Sequence, residues 1–167
     1  MIVVADSSPV RYLILIEEIP LLPSLFGVII LPPAVLRELT QPATPGAVRE
    51  WMNRLPDWVT VRPPQWPLPE FPPTLGQGER EAIALAEELA ADVLLADDEA
   101  ARLESTRRKI PVQGTLGVLD LAAQHGLLVD LPVALLKLRA TNFRASQSLF
   151  DHFLQKHASR TKAKRSE

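Results

Sequence analysis

Ile2-Val3-Val4-Ala5-Asp6-Ser7-Ser8-Pro9 runs four small or β-branched apolar residues straight into an acid. Unbroken apolarity, rather than alternation, marks a strand covered by helices on both faces of a parallel sheet. Asp6 then falls at the carboxyl end of that strand, while Ser7, Ser8 and Pro9 supply capping and first-turn residues for a following helix. That edge is where open α/β sheets keep their ligands. The blander role for Asp6 is to cap the next helix, and residue 6 alone does not decide between the two.

Working outward, the same grammar returns. Val93-Leu94-Leu95-Ala96 is another continuous apolar strand, and it runs into Asp97-Asp98-Glu99. Phe26–Leu31 reads as a strand, after which Pro32-Pro33 opens a helix whose Val35 and Leu39 share a face, with Glu38 beside it one turn in. Helices are expected over Val10–Ile19, Pro45–Leu55, Arg80–Ala91, Ala100–Lys109, Val118–His125, Val133–Arg139 and Gln147–His157. Short strands are expected at Trp58–Val61 and Ile110–Gln113, where Pro111 implies a sheet edge. Arg62–Thr74 contains six prolines and is expected to be an irregular surface connection, a lid or a tether. The order β-α-β-α-α-β-α-β-α-β-α-α-α argues for a mostly parallel sheet between helical layers, with right-handed crossovers.

The chain has 167 residues and no cysteine, which suits one self-sufficient core and excludes disulfides and thiolate metal sites. No charged leader precedes the first apolar run, and no run nears the ~20 apolar residues that span a bilayer. A cytoplasmic protein without membrane contact is expected. Charge is uneven: residues 1–136 hold 18 acids against 10 Lys and Arg, and residues 137–167 hold 2 against 8. A basic C-terminal segment suits phosphate contacts beside an acidic, cation-holding site, although residues 159–167 read more simply as a flexible tail.

Asp6, Glu38, Glu79, Asp97 and Asp98 each lie where an element begins or ends near one rim. Carboxylates converging there repel unless some protonate or a divalent cation sits among them. All-oxygen donors suit Mg²⁺ or Mn²⁺, and such a site binds a phosphodiester and activates a water. Each acid also has a plain structural role open to it: Glu79 suits any helix N-terminus and Asp97 or Asp98 any N-cap. The histidines add little, since His152 and His157 are off ligand spacing and His125 closes a helix. Gly76-x-Gly78 is a weak phosphate cradle. Ser8 and Thr115 offer hydroxyls for orienting ligands or phosphate.

Five short motifs in order resemble one family: the strand ending in Asp-x-Ser, Pro-Pro-x-Val-x-x-Glu-Leu at 32–39, Leu-Gly-x-Gly-Glu followed by Ala-Ile-Ala-Leu-Ala at 75–86, Leu-Leu-x-Asp-Asp at 94–98, and Gly-Thr-Leu-Gly-Val-Leu at 114–119. Together they resemble a PIN-like domain, in the branch related to VapC-type toxins and often described only as a predicted nucleic-acid-binding protein. The resemblance implies a three-layer α/β/α fold over residues 1–145, followed by a C-terminal helix at 146–158 and the tail. It implies a Mg²⁺- or Mn²⁺-dependent ribonuclease, the toxin of a toxin–antitoxin pair, with RNA, a cognate antitoxin and a second copy of itself as partners. Its acids map onto Asp6, Glu38, Glu79 and the pair Asp97-Asp98, with Asp6 and one of that pair as direct ligands. Glu81 is the alternative to Glu79. Relatives often end the last of these strands in Thr-x-Asp; here Ala96 or Leu95 stands in the hydroxyl's place.

The alternative is an inactive PIN-like module that grips nucleic acid or protein without turnover. A phospho-acceptor receiver needs a lysine beyond the last strand, which the position of Lys109 does not provide. Self-association is also expected from Leu15, Leu21, Leu22 and Leu25, which look more apolar than one helix face buries.

Overall fold

A computed structural model describes residues 1–167. Two compact units emerge, Met1–Thr115 and Leu116–Glu167.

The first unit contains the entire sheet. Strands β1 (Val3–Ala5), β2 (Ile29–Leu31), β3 (Val59–Val61), β4 (Val93–Leu95) and β5 (Val112–Gln113) stand in the order β3-β2-β1-β4-β5, every neighbouring pair parallel. The sheet is flanked by α1 (Ser7–Leu15), α2 (Leu21–Phe26), α3 (Pro33–Leu39), α4 (Gly46–Met52), α5 (Gln77–Glu88) and α6 (Glu99–Arg107), the α/β/α arrangement expected. β1 is central and wholly buried, as its uninterrupted apolarity requires. β5, with Pro111 before it, is an edge.

Register decides what happens at the rim. Ala5 is paired with Leu95, and Leu95 with Gln113. Asp92 fixes this alignment at the far end: its carboxylate accepts from Ile2 N–H, and its own N–H donates to Ile2 C=O at 2.8 Å. Asp6, Ala96-Asp97 and Gly114-Thr115 therefore leave three adjacent strands at one level.

Element ends differ from the sequence reading for identifiable reasons. The first helix begins at Ser7, not Val10, because Asp6 is already extended at the N-cap position. Residues 21–26 form a separate helix, so β2 shortens to Ile29–Leu31, with Gly27 taking the positive-φ turn at φ 76°. Helix α5 starts at Gln77 rather than Arg80, because Glu79 reaches back to Gly76 N–H. It ends at Glu88, where Ala90 turns left-handed at φ 47° and Ala91 N–H closes onto Ala86 C=O at 2.9 Å.

A core beside the sheet gathers Val4, Leu75, Ala82, Ile83, Leu85, Ala86, Leu94 and Ile110. Leu21 and Leu22, expected to face a second copy, are instead buried within the chain, leaving Leu15 and Leu25 half-buried. The second helix made room for them: two short helices present two apolar faces where one long helix would present one.

The second unit holds α7 (Thr115–Gln124) from its second residue on, then α8 (Leu131–Arg139) and α9 (Gln147–Arg165). Helix α9 continues through the stretch expected to be a tail. Ser146 caps it, Lys156 reaches Asp120 at 3.1 Å and Arg160 bonds the same carboxylate, and Lys162, Lys164 and Arg165 occupy the last turn, where cations suit the dipole. No helix is long and apolar enough to cross a membrane.

Candidate active site

Asp6 is 4% exposed, and its Oδ1 is the only buried side-chain oxygen without a hydrogen-bond partner. Although it holds the N-cap position of α1, its side chain makes no capping bond, so the capping role does not account for it. Burial pushes its carboxyl up to about 7, the negative charges of Glu79, Glu38 and Asp97 push the same way, and the Ser7 N–H works against them. A buried acid held among three others is costly for the fold.

Asp97 follows β4. It accepts from Thr115 twice, Thr115 N–H to Oδ1 at 2.7 Å and Thr115 Oγ1–H to Oδ2 at 2.6 Å. Burial raises its pKa, while those two bonds and the nearby Arg102 guanidinium lower it. Asp98, one residue on, is exposed and caps α6 through Ala101 N–H at 3.0 Å. The pair is thus divided: Asp97 faces Asp6, and Asp98 serves as the cap while also acting on Glu79.

Glu38 is carried in by α3. Its Oε1 accepts from Gly78 N–H at 2.9 Å and its Oε2 from Ser7 Oγ–H, so it ties α1 and α5 to α3. Glu79 sits in the first turn of α5, bonded back to Gly76 N–H at 2.8 Å. Burial raises its pKa, and Asp98 and Glu38 add to that. Glu81 is elsewhere: 3% exposed, it accepts from Ala34 N–H at 2.9 Å and Gln77 Nε2–H at 3.3 Å, with Arg37 at 3.6 Å. It clamps α5 to the start of α3.

Four participants escaped the sequence reading. Ser7, not Ser8, carries the hydroxyl that meets Glu38. Gly78 donates to Glu38 from so near that a Cβ there would stand 2.5 Å from Glu38 Oε1, and a Cβ on Gly114 would stand 2.9 Å from Asp97 Oδ1 and 2.8 Å from Arg102 Nη1. The fourth is Arg102, whose Nη1 donates to Ala96 C=O at 3.3 Å behind Asp97. Gly78, part of the weak Gly76-x-Gly78 phosphate cradle, and Gly114 both make room for carboxylates.

Gly78→Ala separates site from scaffold. The methyl group displaces only the flexible end of Glu38, and Ala gains about 1 kcal/mol of helix propensity over Gly, so melting should shift little. If Glu38 serves catalysis, cleavage should fall about tenfold, as for lost outer-shell support of a metal site. Parallel melting and cleavage assays check this; unchanged cleavage would place Glu38 outside the chemistry.

No three acidic or histidine side chains are arranged to hold one ion between them, and Glu38 and Asp97 each accept from protein donors on both oxygens. The donor chemistry nevertheless fits a hard divalent cation: oxygen-only, net negative, with Asp6 Oδ1 unpartnered.

No curated protein matches this sequence significantly. A family model described as a PIN domain, DUF3368, matches residues 2–159. PIN domains are in general nucleases that use divalent metals. With nearly the whole chain matched, and the all-parallel sheet and acid-lined rim in place, the chain belongs to the PIN-domain family, DUF3368.

Proposed function

We propose that the protein is an endoribonuclease that hydrolyses phosphodiester bonds with Mg²⁺ or Mn²⁺, acting in the cytoplasm as the toxin of a toxin–antitoxin pair. The observation that carries the reading is Asp6: a buried carboxylate with an unpartnered oxygen, held up to about 7 by burial and by three neighbouring acids. A fold keeps so unfavourable a group where something it binds offsets the cost.

Asp6 and Asp97 would hold the ion, with Glu38 and Glu79 around them. When bound, the cation supplies Lewis-acid activation of water and neutralises charge on the phosphate. The chain's own part is positioning. Thr115 fixes the plane of the Asp97 carboxylate, Gly78 and Ser7 fix Glu38, and Gly76 fixes Glu79. Arg102, beside Asp97, limits repulsion at the rim. Residues 1–145 form the nuclease domain in this reading. A homodimer and an antitoxin belong to it as well, Leu15 and Leu25 being the apolar residues of that region left partly exposed.

Cleavage of an unstructured RNA by the purified chain in Mg²⁺, in Mn²⁺ and in EDTA is the test, with melting measured in each. Metal-dependent cleavage and metal-dependent stabilisation are both expected. Neither appearing would sink the reading. A second reading, an inactive binding module, is favoured by the lack of any three acids arranged to hold an ion. It expects RNA binding with no turnover in either metal.

A further inference from the structure

The proline-rich segment 62–74 is irregular but pinned at both ends. The Glu88 carboxylate accepts from Gln65 N–H at 2.9 Å and from Arg62 Nη2 at 3.5 Å. Arg108 donates from Nη2 to Glu70 C=O at 2.9 Å and lays its guanidinium over the Phe71 ring at 4.4 Å. Between these anchors Trp66 stands 63% exposed. Trp51 and Trp58, by contrast, pack on each other at 5.6 Å. An indole left in water on a stiff, tethered frame forgoes one of the largest apolar burials a side chain offers.

Trp66 borders a cavity of about 350 Å³, walled also by prolines 67 and 69, Leu68, Glu70, Phe71, Gln77 and Arg80. Arg80 Nε is buried without a hydrogen-bond partner. Gln77 and Arg80 flank Glu79 on the first turns of α5, and Arg80 acts electrostatically on Glu79. Arg80 thus lines the cavity and also acts on one acid of the rim, and the cavity presents an aromatic face, an amide and a guanidinium.

We propose that this cavity is a nucleobase subsite of the nuclease: one unpaired base of the RNA stacks on Trp66, and Arg80 donates to that base or its adjoining phosphate. Stacking on an exposed aromatic tolerates any base and requires a single strand, since paired bases present no free face. The prolines limit the ordering cost of binding by holding Trp66 in place beforehand. The inference rests on the nuclease reading, but its test does not need turnover.

The experiment uses the full chain in EDTA at low salt, with two probes: an unstructured pentauridylate and an abasic ribose-phosphate pentamer. Pentauridylate should quench tryptophan emission and the abasic oligomer should not. Trp66→Ala should weaken pentauridylate binding about tenfold, the range of a lost base–aromatic stack, and abolish the quench. Trp66→Phe should stay within about threefold, because the stacking face is kept. Arg80→Ala should weaken both probes, and all three variants should melt close to wild type. With metal, Trp66→Ala should raise KM and leave kcat nearly unchanged.

Equal affinity and equal KM for wild type and Trp66→Ala overturn the subsite while leaving the nuclease reading standing. A Trp66-dependent quench without cleavage in any metal supports the subsite and sinks the nuclease. If pentauridylate does not bind, and Trp66→Ala instead abolishes concentration-dependent self-association in light scattering, the cavity receives a second copy and the proposal is overturned.

Discussion

Asp6→Asn is expected to stabilise the metal-free protein at pH 8 and to reduce metal-dependent cleavage by about a hundredfold or more. The two effects share one cause. The Asp6 carboxyl titrates near 7 when folded, against an ordinary value of 3.8. Between those values the folded state holds the proton and the unfolded state does not, so Asp6 makes stability fall as pH rises from about 4 to about 7, with no further change above. A shift of that size corresponds to something on the order of 4 kcal/mol at pH 8. Asn keeps the shape without the charge, so the variant should lose that slope and melt several degrees higher. Added Mg²⁺ or Mn²⁺ should stabilise wild type more than the variant, because bound cation offsets the charge that Asn lacks. Melting curves from pH 4 to 8, with and without metal, alongside RNA cleavage, provide the check. Parallel pH profiles for the two proteins, or undiminished cleavage by the variant, would remove Asp6 from the site.

Glu81→Ala should have the largest cost to the fold. It leaves Ala34 N–H buried without its acceptor, frees Arg37 and Gln77, and opens space between α3 and α5. Breaking such a buried charged contact costs about 3 kcal/mol, or ~6–12 °C of melting temperature in a chain of this size. Glu81→Gln, which keeps an acceptor for Ala34 N–H, should cost about 1 kcal/mol. Activity of both variants below their melting points should stay within about tenfold of wild type, because Glu81 only positions the helices bearing Glu38 and Glu79. A stable Glu81→Ala protein with abolished cleavage would exchange the roles, making Glu81 the site acid and Glu79 the cap.

The sheet is legible in the sequence. Val3–Ala5 and Val93–Leu95 are apolar without interruption, which only a strand covered on both faces tolerates. Pro111 marked an edge, and the alternation of strands with helices required parallel pairing. The acids were legible as candidates for the same reason: Asp6 and Asp97-Asp98 terminate buried strands, and strand ends form one rim of a parallel sheet. Element ends were less visible, because caps such as Glu79 on Gly76 N–H and the left-handed Ala90 depend on single backbone angles.

What the sequence by itself determined is therefore the layer architecture and the short set of carboxylates from which a site can be drawn. Both follow from local pattern, since periodicity reports which faces are dry and strand ends report which residues share a rim. Tertiary structure alone decided how those carboxylates divide: Asp97 toward Asp6 and Thr115, Asp98 onto its own helix, Glu79 onto Gly76, and Glu81 into the α3–α5 clamp. Ala96 offers Asp97 no hydroxyl, and the one it receives comes from Thr115, eighteen residues on. Neighbouring acids such as Asp97 and Asp98 have nearly the same chemistry and local propensity. Only the donors that reach them across the fold, and the water that burial removes, make them different.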